Sequence, residues 1–309
     1  MIRRFDALVI GSGPTGAAAA LYLARFGLNV GLVEMLAPGG MLLQTNDIEN
    51  YPGFPTGIRG YELADAIMAQ LEPYQNLTHI SEEVQELDLE AATKRAKIGD
   101  SWVEAQSVLI CSGVAYRKMG LPGEEKFLGK GVSHCALCDG NFFRNQVVGV
   151  VGGGNSALEE SLYLSKTVSK LHLIHRRDSF SAVPVYQDKI RHTENIVLEL
   201  GSVVSALHGN NLLEGVTIKR LASGKEDFIP LSGLFVFIGF TPRGDFLPEG
   251  LNRDSQGFLI TDTEMRTNIP GVFAAGDIRA KLCRQVVTAV GDGATAANAA
   301  FSYLEQQHG

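Results

Sequence analysis

The N-terminal part of the chain contains two short apolar runs separated by an alanine-rich stretch. The apolar runs cover residues 7–10 and 30–34, and the alanine-rich stretch follows a glycine turn and covers about 14–25. Apolar runs of about four to eight residues bounded by glycine are typical of buried strands, and the longer stretch has the length of a helix. The pattern predicts a strand, a helix and a second strand, which together form a βαβ unit.

The same order recurs in the middle of the chain. An apolar run at 147–151 leads into glycines at 152–154, and another apolar run at 171–174 follows a stretch of helical length. The two βαβ units predict an α/β fold with two Rossmann-like dinucleotide-binding domains. No uninterrupted apolar run reaches the ~20 residues needed to span a bilayer, so no membrane partner is predicted.

Turn residues indicate where one domain interrupts the other. Apolar runs at 108–111 and 234–238 each end in a turn that contains glycine. These turns predict a domain at 115–243 inserted into a discontinuous domain made of 1–114 and 244–309. The two connecting strands are then predicted to act as a hinge.

The first glycine turn has the G-x-G-x-x-G spacing of a loop that holds the pyrophosphate of a dinucleotide. In such a loop the first glycine allows the turn, the second lets the backbone approach the phosphates, and the third permits close helix packing. Glu34 follows Gly11 by about two dozen residues, the spacing at which an acidic side chain reaches a ribose hydroxyl. An ordinary tight turn is the alternative, but it would not need the strand, the helix and Glu34. The predicted cofactor-binding residues here are Gly11, Gly13, Pro14, Thr15, Gly16 and Glu34.

The second glycine turn precedes a strand that ends in basic residues where the first copy has an acid. An acid at that place would receive the 2′-hydroxyl of NADH, whereas arginines suit the 2′-phosphate of NADPH. The predicted cofactor-binding residues of this second site are Gly152, Gly154, Asn155, Ser156, Ala157, His175, Arg176 and Arg177.

A further apolar run near the C-terminus, residues 271–277, ends in Gly276 and Asp277. Alone, this run could be a strand with a polar cap. Together with the N-terminal loop it suits the second half of an FAD site, in which Asp277 accepts a hydrogen bond from hydroxyls of the ribityl chain. Arg284-Gln285 and a helix predicted at about 293–303 complete the contact with the flavin.

Cys135 and Cys138 are separated by two residues and precede the second glycine turn. Two thiols at this spacing can close a disulfide, and a thiolate in such a motif often has a lowered pKa that makes it a nucleophile near neutral pH. Zinc is the alternative, but a tetrahedral site needs two further ligands and no second pair with this spacing occurs, so no metal is predicted. Asp139 is predicted to move protons during thiol exchange, with a turn cap as the alternative.

Bulk composition narrows the classes of function. The chain has 309 residues with 45% hydrophobic and 20% charged residues and a net charge of −7, which is typical of a two-domain globular protein and argues against a nucleic-acid partner. The other two cysteines, Cys111 and Cys283, are predicted to be small buried hydrophobes, and the close pair indicates a reducing, cytoplasmic compartment. Arg3 and Arg4 precede an apolar stretch as in a signal peptide, but Asp6 and the glycine loop argue against export.

With these residues together, the chain resembles the low-molecular-weight, bacterial-type thioredoxin reductases along nearly its whole length. The residues that carry the resemblance are the first glycine loop, Pro38-Gly39-Gly40, the segment 50–54, the Cys135-x-x-Cys138-Asp139-Gly140 centre, the second glycine loop, His175-Arg176-Arg177, and the segments 271–277 and 284–287. This resemblance implies a homodimeric pyridine nucleotide-disulfide oxidoreductase that binds FAD and NADPH. It also implies further cofactor contacts at Gly39, Gly40, Gln44, Asn50, Gly113, Gly239, Gly276, Asp277, Arg284, Gln285 and Val286.

The activity implied by the resemblance is thioredoxin reduction. NADPH reduces the flavin, the flavin reduces the disulfide of Cys135 and Cys138, and the dithiol reduces thioredoxin. Cys138 is expected to lie nearer the flavin. The inserted domain rotates between two states, because one flavin face cannot meet the nicotinamide and the disulfide together.

Three positions depart from the family pattern. Ser181 stands where a third arginine usually helps to grip the 2′-phosphate, Cys111-Ser112-Gly113 replaces the more common Ala-Thr-Gly, and Leu137 lies between the cysteines where threonine is frequent. Because Ser181 stands in place of that arginine, a second interpretation stays open. In it, an enzyme with the same dithiol chemistry takes electrons from NADH or ferredoxin, or reduces another redoxin. A non-catalytic nucleotide sensor is a third alternative, which the retained cysteines and Asp139 disfavour.

Overall fold

The computed structural model describes residues 2–45, 47–48 and 50–308, without the side chains of residues 47, 137, 138 and 308. Its chain divides into two compact units, one made of Met1–Ala115 with Thr241–Gly309 and one made of Tyr116–Phe240. The described strands are β1 (Arg3–Ile10), β2 (Val30–Val33), β3 (Asp47–Ile48), β4 (Ile58–Arg59), β5 (Leu77–Ile80), β6 (Val84–Asp88), β7 (Lys94–Ile98), β8 (Ser101–Ile110), β9 (Val114–Tyr116), β10 (Val132–Ser133), β11 (Val147–Val151), β12 (Lys170–Ile174), β13 (Ile196–Glu199), β14 (Ser202–His208), β15 (Gly215–Arg220), β16 (Glu226–Pro230), β17 (Gly233–Val236), β18 (Phe240–Pro242) and β19 (Val272–Ala274). The described α-helices are α1 (Pro14–Arg25), α2 (Gly60–Ala69), α3 (Glu124–Phe127), α4 (Ala136–Asp139), α5 (Asn155–Ser165), α6 (Pro184–Arg191) and α7 (Val286–His308).

The first unit is built on a seven-stranded sheet with the order β5-β2-β1-β8-β7-β6, in which β19 also pairs with β8. The strands β5, β2, β1, β8 and β19 pair in parallel, and β6 and β7 extend the sheet in antiparallel fashion. Helix α1 packs along α7, and the buried alanines of both helices let them approach closely. The carboxyl ends of the parallel strands therefore lie along one sheet edge, beside the N-terminus of α1.

The second unit is built on a five-stranded parallel sheet with the order β10-β17-β11-β12-β13. Its interior strand β17 is buried along its whole length, as expected of a strand covered on both faces. A three-stranded antiparallel sheet, β14-β15-β16, packs against it through a shared apolar cluster that includes Ile174, Val216 and Leu234. Helix α5 follows β11 directly, so this unit repeats the strand, loop and helix order of the first.

The chain crosses from one unit to the other twice. The two crossing segments are the strands β9 and β18, which pair with each other. Beyond this pairing, the Arg117 N–H donates to the carbonyl of Gly239 at 3.0 Å, and the Ser112 hydroxyl donates to the carbonyl of Arg243 at 2.6 Å. Both connections are thus hydrogen-bonded strands and not loose linkers.

The predicted α/β fold with two βαβ units is confirmed, and the bounds of α1 and β11 are those predicted. Other bounds were wrong: the strand predicted at 7–10 begins at Arg3, and the one predicted at 30–34 ends at Val33. The strand predicted at 108–111 is only the end of β8, which stops at Ile110; the earlier half of β8 alternates buried and partly buried residues and pairs with the antiparallel strand β7. The run at 234–238 is a strand only as far as Val236, and the helix predicted at 293–303 extends over Val286–His308.

Candidate functional site

The first glycine loop combines a tightly packed side with an open one. A side chain at Gly16 would overlap the carbonyl oxygen of Gly11, so the third glycine is required where α1 approaches the loop. A Cβ atom at Gly13 would instead meet only the Gly40 Cα, at 3.9 Å. Gly13 is the N-cap of α1 and has no side chain to cap it, and Pro14 at the first helical position has no N–H, so the N–H groups that follow Pro14 in the first turn are available to an anion beside Gly13.

Glu34 is fixed beside this loop at the end of β2. One carboxylate oxygen, Oε2, accepts hydrogen bonds from the Ser12 N–H and the Ser12 hydroxyl, both at 3.0 Å. The other, Oε1, accepts from the Leu36 N–H at 3.1 Å. A carboxylate offers about four lone-pair sites, so Glu34 retains acceptor capacity for a ribose hydroxyl. Ser12 was missed from the sequence, although a hydroxyl residue inside the loop could have suggested it.

The turn after β19 contains buried polar atoms that lack a hydrogen-bond partner among the described residues. These atoms include Asp277 Oδ1 and Arg284 Nε. Burial raises the pKa of Asp277, and the charges of Lys281 and Arg284 oppose that shift. The Arg284 guanidinium lies over the Phe258 ring at 4.1 Å and donates to the carbonyls of Arg279 and Lys281. A ligand with hydroxyl and acceptor groups would satisfy these atoms, as the ribityl chain and ring edge of FAD can.

Asp292, on α7, holds this turn in place and was missed from the sequence. Its Oδ2 accepts from the Gly276 N–H at 3.1 Å, the Lys281 ammonium at 2.9 Å and the Arg279 guanidinium at 3.3 Å. The side chains of Asp292 and Lys281 are only 13% and 8% exposed. A buried carboxylate with two cations and one backbone donor is well satisfied, so Asp292 fixes the backbone of Gly276.

Other predicted contacts gather around the same loop. The Gly39 N–H donates to the Ser12 carbonyl at 3.0 Å, and Gly40 lies against Gly13. The Asn50 amide donates to the Gln285 side chain at 2.9 Å, which joins two residues predicted separately. The remaining predicted residues of this unit are Thr15, which is buried, Gln44, which ends the 3-10 turn Gly40–Gln44, Gly113, which accepts from the Arg243 N–H, and Val286, which packs beside Leu42.

The second glycine loop is covered by the segment that follows β12. The His175 ring occupies the space of a side chain at Gly153, and the Gly153 carbonyl accepts from the Ser181 N–H at 2.9 Å and the Ser181 hydroxyl at 3.2 Å. The Val183 N–H donates to Asn155 Oδ1 at 2.8 Å. A Cβ atom at Gly154 would meet only Ser181 Oγ, at 3.9 Å, so the loop is open there, at the N-cap of α5. Ala157 is buried below the loop, and Ser156 is exposed.

Two of the basic residues after β12 are exposed and one is buried. Arg176 and Arg177 are exposed, and neither forms an ion pair with the part of the chain that the structure describes. Burial lowers the pKa of His175, and the charges of Arg177 and Arg176 lower it further, whereas a hydrogen bond from the ring to the Ser179 backbone opposes the shift. His175 is therefore neutral near pH 7, so the positive charge beside the open loop comes from the two arginines.

Cys135 is disulfide-bonded and half-buried, and the side chain of Cys138 lies outside the described residues. The Cys135 N–H donates to Ser133 Oγ at 3.0 Å, and the Asp139 N–H donates to the Cys135 carbonyl at 3.2 Å, the first turn of α4. A disulfide-bonded sulfur has no thiolate to offer to zinc. Among the described residues, no three His, Cys, Asp or Glu side chains come together as a metal ion would need.

The two remaining cysteines differ from each other. Cys111 is buried, and burial raises its pKa far above the ordinary value, as predicted for a small hydrophobe without chemistry. The prediction that Cys283 is buried was wrong. Cys283 is exposed because it lies in the segment just before α7, next to the fully exposed Leu282.

Glu160 on α5 is an unexpected buried carboxyl in the second unit. Its Oε2 atom is enclosed and lacks a hydrogen-bond partner within the described part of the chain. Burial, followed by the charge of Glu159, raises the pKa of Glu160 to about 7. Burial, followed by the charge of Glu160, raises the pKa of Tyr116.

Replacing Glu160 with glutamine should change the pH dependence of folding. Because the folded pKa of about 7 lies above the ordinary 4.5, stability is fully present below pH 4.5 and is lost as the pH rises through 7. The free energy of unfolding of the glutamine variant, relative to that of the unmodified protein, should therefore rise by about 2.5 kcal/mol between pH 5 and pH 8. Glu159→Gln, at the exposed neighbour, should show a much smaller change, and a pH-independent difference for Glu160→Gln would contradict the assignment.

The chain is similar to many known proteins, and it matches the model of a known family. The family model described as pyridine nucleotide-disulphide oxidoreductase matches residues 5–293. The thioredoxin reductase of Treponema pallidum (strain Nichols) is 39% identical over 301 residues, which are 97% of this chain and 97% of that protein. The crystal structure of Lactococcus lactis thioredoxin reductase in its FR conformation is 38% identical, has a TM-score of 0.84, and is matched over 98% of this chain and 99% of that one.

A more distant solved structure has a different electron donor in its name. The ferredoxin-flavin thioredoxin reductase of Clostridium acetobutylicum is 27% identical, with a TM-score of 0.54 over 100% of this chain and 99% of that one. Within the described residues, no helix combines the length and apolar character needed to cross a membrane.

Proposed function

Because the chain belongs to the thioredoxin reductases of the pyridine nucleotide-disulphide oxidoreductase family, we propose that it carries electrons from NADPH through FAD and the disulfide of Cys135 and Cys138 to thioredoxin. The observation that carries the proposal is the disulfide-bonded Cys135 in the same compact unit as a glycine loop flanked by exposed arginines. The chain is thus an oxidoreductase that acts on a disulfide.

FAD fits the polar atoms of the first unit. The N-terminus of α1 beside Gly13 would hold the pyrophosphate, Glu34 the adenosine ribose, and Asp277 the ribityl hydroxyls. When bound, FAD supplies the two-electron chemistry that links a nicotinamide to a disulfide. Asp292 keeps the Gly276 turn in position for this contact.

NADPH fits the second glycine loop. The N-terminus of α5 beside Gly154 would hold the pyrophosphate, and the exposed guanidinium groups of Arg176 and Arg177 would bind the 2′-phosphate. Ser181 is hydrogen-bonded to Gly153, so its role in our proposal is to hold the arginine-bearing segment on the loop. The NADPH preference then rests on two arginines and not on three.

The cysteine pair performs the transfer to the protein substrate. Two electrons and two protons convert its disulfide to a dithiol, and a thiolate then attacks the disulfide of thioredoxin to form a mixed disulfide. The second thiolate resolves that intermediate, which releases reduced thioredoxin and restores the enzyme disulfide. We assign to Asp139, whose backbone closes the turn on Cys135, the transfer of protons to and from these sulfurs.

We also propose that the strands β9 and β18 form the hinge about which the inserted unit turns between two half-reactions. Only these two hydrogen-bonded segments connect the units through the chain, so a rotation needs few backbone changes. A crosslink between the units should permit one half-reaction and block the other. We further propose that the enzyme is cytoplasmic and that it forms a homodimer. Sedimentation at micromolar concentration tests the dimer.

Phe142 is an exposed aromatic side chain close to the cysteine pair and suits a protein substrate. It is 76% exposed, while the adjacent Phe143 packs edge-on against Phe235 in the core. Replacing Phe142 with alanine should raise the KM for thioredoxin by about tenfold, the effect of losing one central aromatic contact, and should leave flavin reduction by NADPH unchanged. Leu221→Ala, at an exposed position of the same unit, is the matched control, and equal KM values for both variants would refute a docking role for Phe142.

Parallel stopped-flow reduction with NADPH, NADH and reduced ferredoxin tests the proposed donor. We expect rapid bleaching of the flavin absorbance with NADPH and much slower bleaching with the other two. Ser181 and the similarity to a ferredoxin-flavin thioredoxin reductase favour ferredoxin as the second candidate donor. Faster bleaching with ferredoxin than with NADPH would overturn the NADPH proposal while keeping the dithiol chemistry.

A further inference from the structure

Three aromatic rings of the second unit join both connecting strands to the residue that precedes Cys135. Tyr116, the last residue of β9, stacks on His134 with the ring centroids 4.9 Å apart and the planes inclined by 7°. The Tyr116 ring also contacts Phe240, the first residue of β18, at 5.4 Å and 35°. We call Tyr116, His134 and Phe240 the ring cluster.

The ring cluster is anchored by hydrogen bonds on two sides. The His134 Nδ1 lies 3.1 Å from the Val236 carbonyl at the end of β17, and because a carbonyl only accepts, Nδ1 carries the proton in this contact. On the other side, the Arg117 guanidinium donates to the Phe240 carbonyl at 3.3 Å. The His134 ring is therefore held between the interior strand β17 and the segments that lead out of the second unit.

The elements that carry Cys135 are short. It lies between β10, which has two residues, and α4, which has four. The Cys135 N–H donates to Ser133 Oγ, and the Cys135 carbonyl accepts from the Asp139 N–H. Elements of this length contribute little rigidity by themselves, so the Cys135 segment depends on tertiary contacts on both sides: the pairing of β10 with β17, the burial of Ala136 in the core, and the ring contact at His134.

We infer that the ring cluster is a set of positioning residues that fixes the Cys135 segment relative to the connecting strands, so that the disulfide moves with the hinge as one body. This inference rests on the proposed function, because it concerns the step in which the disulfide receives electrons. An error of about 1 Å in the placement of reacting groups costs up to about a hundredfold in rate. The ring cluster would prevent such an error after each turn of the unit.

Variants of the two stacked residues test the inference. Tyr116→Leu and His134→Ala should lower kcat for thioredoxin reduction by about five- to fiftyfold, with the KM for NADPH and the rate of flavin reduction by NADPH unchanged. Tyr116→Phe keeps the ring and should restore kcat to within twofold. His134→Phe keeps the stack without the Nδ1 hydrogen bond, so recovery of kcat in this variant assigns the effect to stacking.

Amide hydrogen exchange gives a readout that does not need turnover. The Cys135 and Asp139 amides should exchange at least about tenfold faster in Tyr116→Leu and His134→Ala than in the unmodified holoenzyme. Phe228→Ala removes a different ring pair of the same unit, the contact with His208 at 5.4 Å, and should change neither kcat nor these amides. If Tyr116→Leu does not fold, His134→Ala carries the test.

The results separate the inference from the proposed function. Unmodified protein that does not reduce thioredoxin refutes the proposed function, while faster amide exchange in the variants would still support the positioning of the segment. Active unmodified enzyme with variants whose kcat stays within twofold of it overturns the inference alone. A kcat loss that Tyr116→Phe fails to restore also overturns it, since stacking would then not be the cause.

Discussion

Replacing Cys135 with serine should lower thioredoxin reduction by at least about a thousandfold, because a serine hydroxyl can neither form the enzyme disulfide nor attack that of thioredoxin. Bleaching of the flavin absorbance by NADPH should continue, since that half-reaction needs the glycine loops and not the sulfurs. The measurement is steady-state thioredoxin turnover beside stopped-flow bleaching in the same preparation. The same outcome is predicted for Cys138→Ser.

Cys283→Ser is the matched control for this result. Cys283 is exposed and free, so its replacement removes a thiol without disturbing the core and should leave turnover within twofold of the unmodified value. Cys111 is a poorer control because it is buried beside the first glycine loop. Near-normal thioredoxin turnover in Cys135→Ser or Cys138→Ser would show that the electrons take another route.

Removing both exposed arginines, as Arg176→Ala with Arg177→Ala, should lower kcat/KM for NADPH by about a hundredfold or more and leave that for NADH nearly unchanged. A charge-assisted hydrogen bond to phosphate contributes about 1.5–3 kcal/mol, and each arginine is free to make one. The ratio of kcat/KM for the two nucleotides is the measurement. Each single variant should show part of the loss.

Two further variants complete this test. Arg191→Ala removes an exposed arginine of α6 in the same unit and should leave the nucleotide ratio unchanged. Ser181→Arg should enlarge the preference for NADPH, although it sacrifices the hydroxyl bond to Gly153. Comparable kcat/KM values for NADPH and NADH in the unmodified enzyme would defeat the assignment of the 2′-phosphate to Arg176 and Arg177.

The elements around both glycine loops could be predicted because their signals are local. The apolar run of β11 and the alanine-rich α1 lie within short windows of sequence, and their bounds agree with the structure. The full length of β8 could not be predicted in this way. Its first half alternates buried and partly buried positions and pairs with β7 across the two-residue turn at Gly99 and Asp100, a hairpin that a search for continuous apolar runs does not detect.

The functional site likewise contains residues that the sequence predicts and residues that only the structure brings together. The loop glycines and Glu34 have a fixed spacing that the sequence displays, whereas Asp292 is brought to Gly276 only by the packing of α7. The exposure of Cys283 was missed for a related reason, because the usual burial of cysteine does not reveal a surface segment before a helix. Ser181 stood out in the sequence as a missing arginine, and only the structure gives its hydroxyl a partner, the Gly153 carbonyl.

The most direct test of the account is an anaerobic titration of the purified protein, monitored by its visible absorbance. We predict a flavin spectrum that bleaches on addition of NADPH and recovers when oxidised thioredoxin is added, with no recovery in Cys135→Ser. A colourless protein, or a flavin that NADPH does not bleach, would contradict the proposed path of electrons from NADPH to thioredoxin.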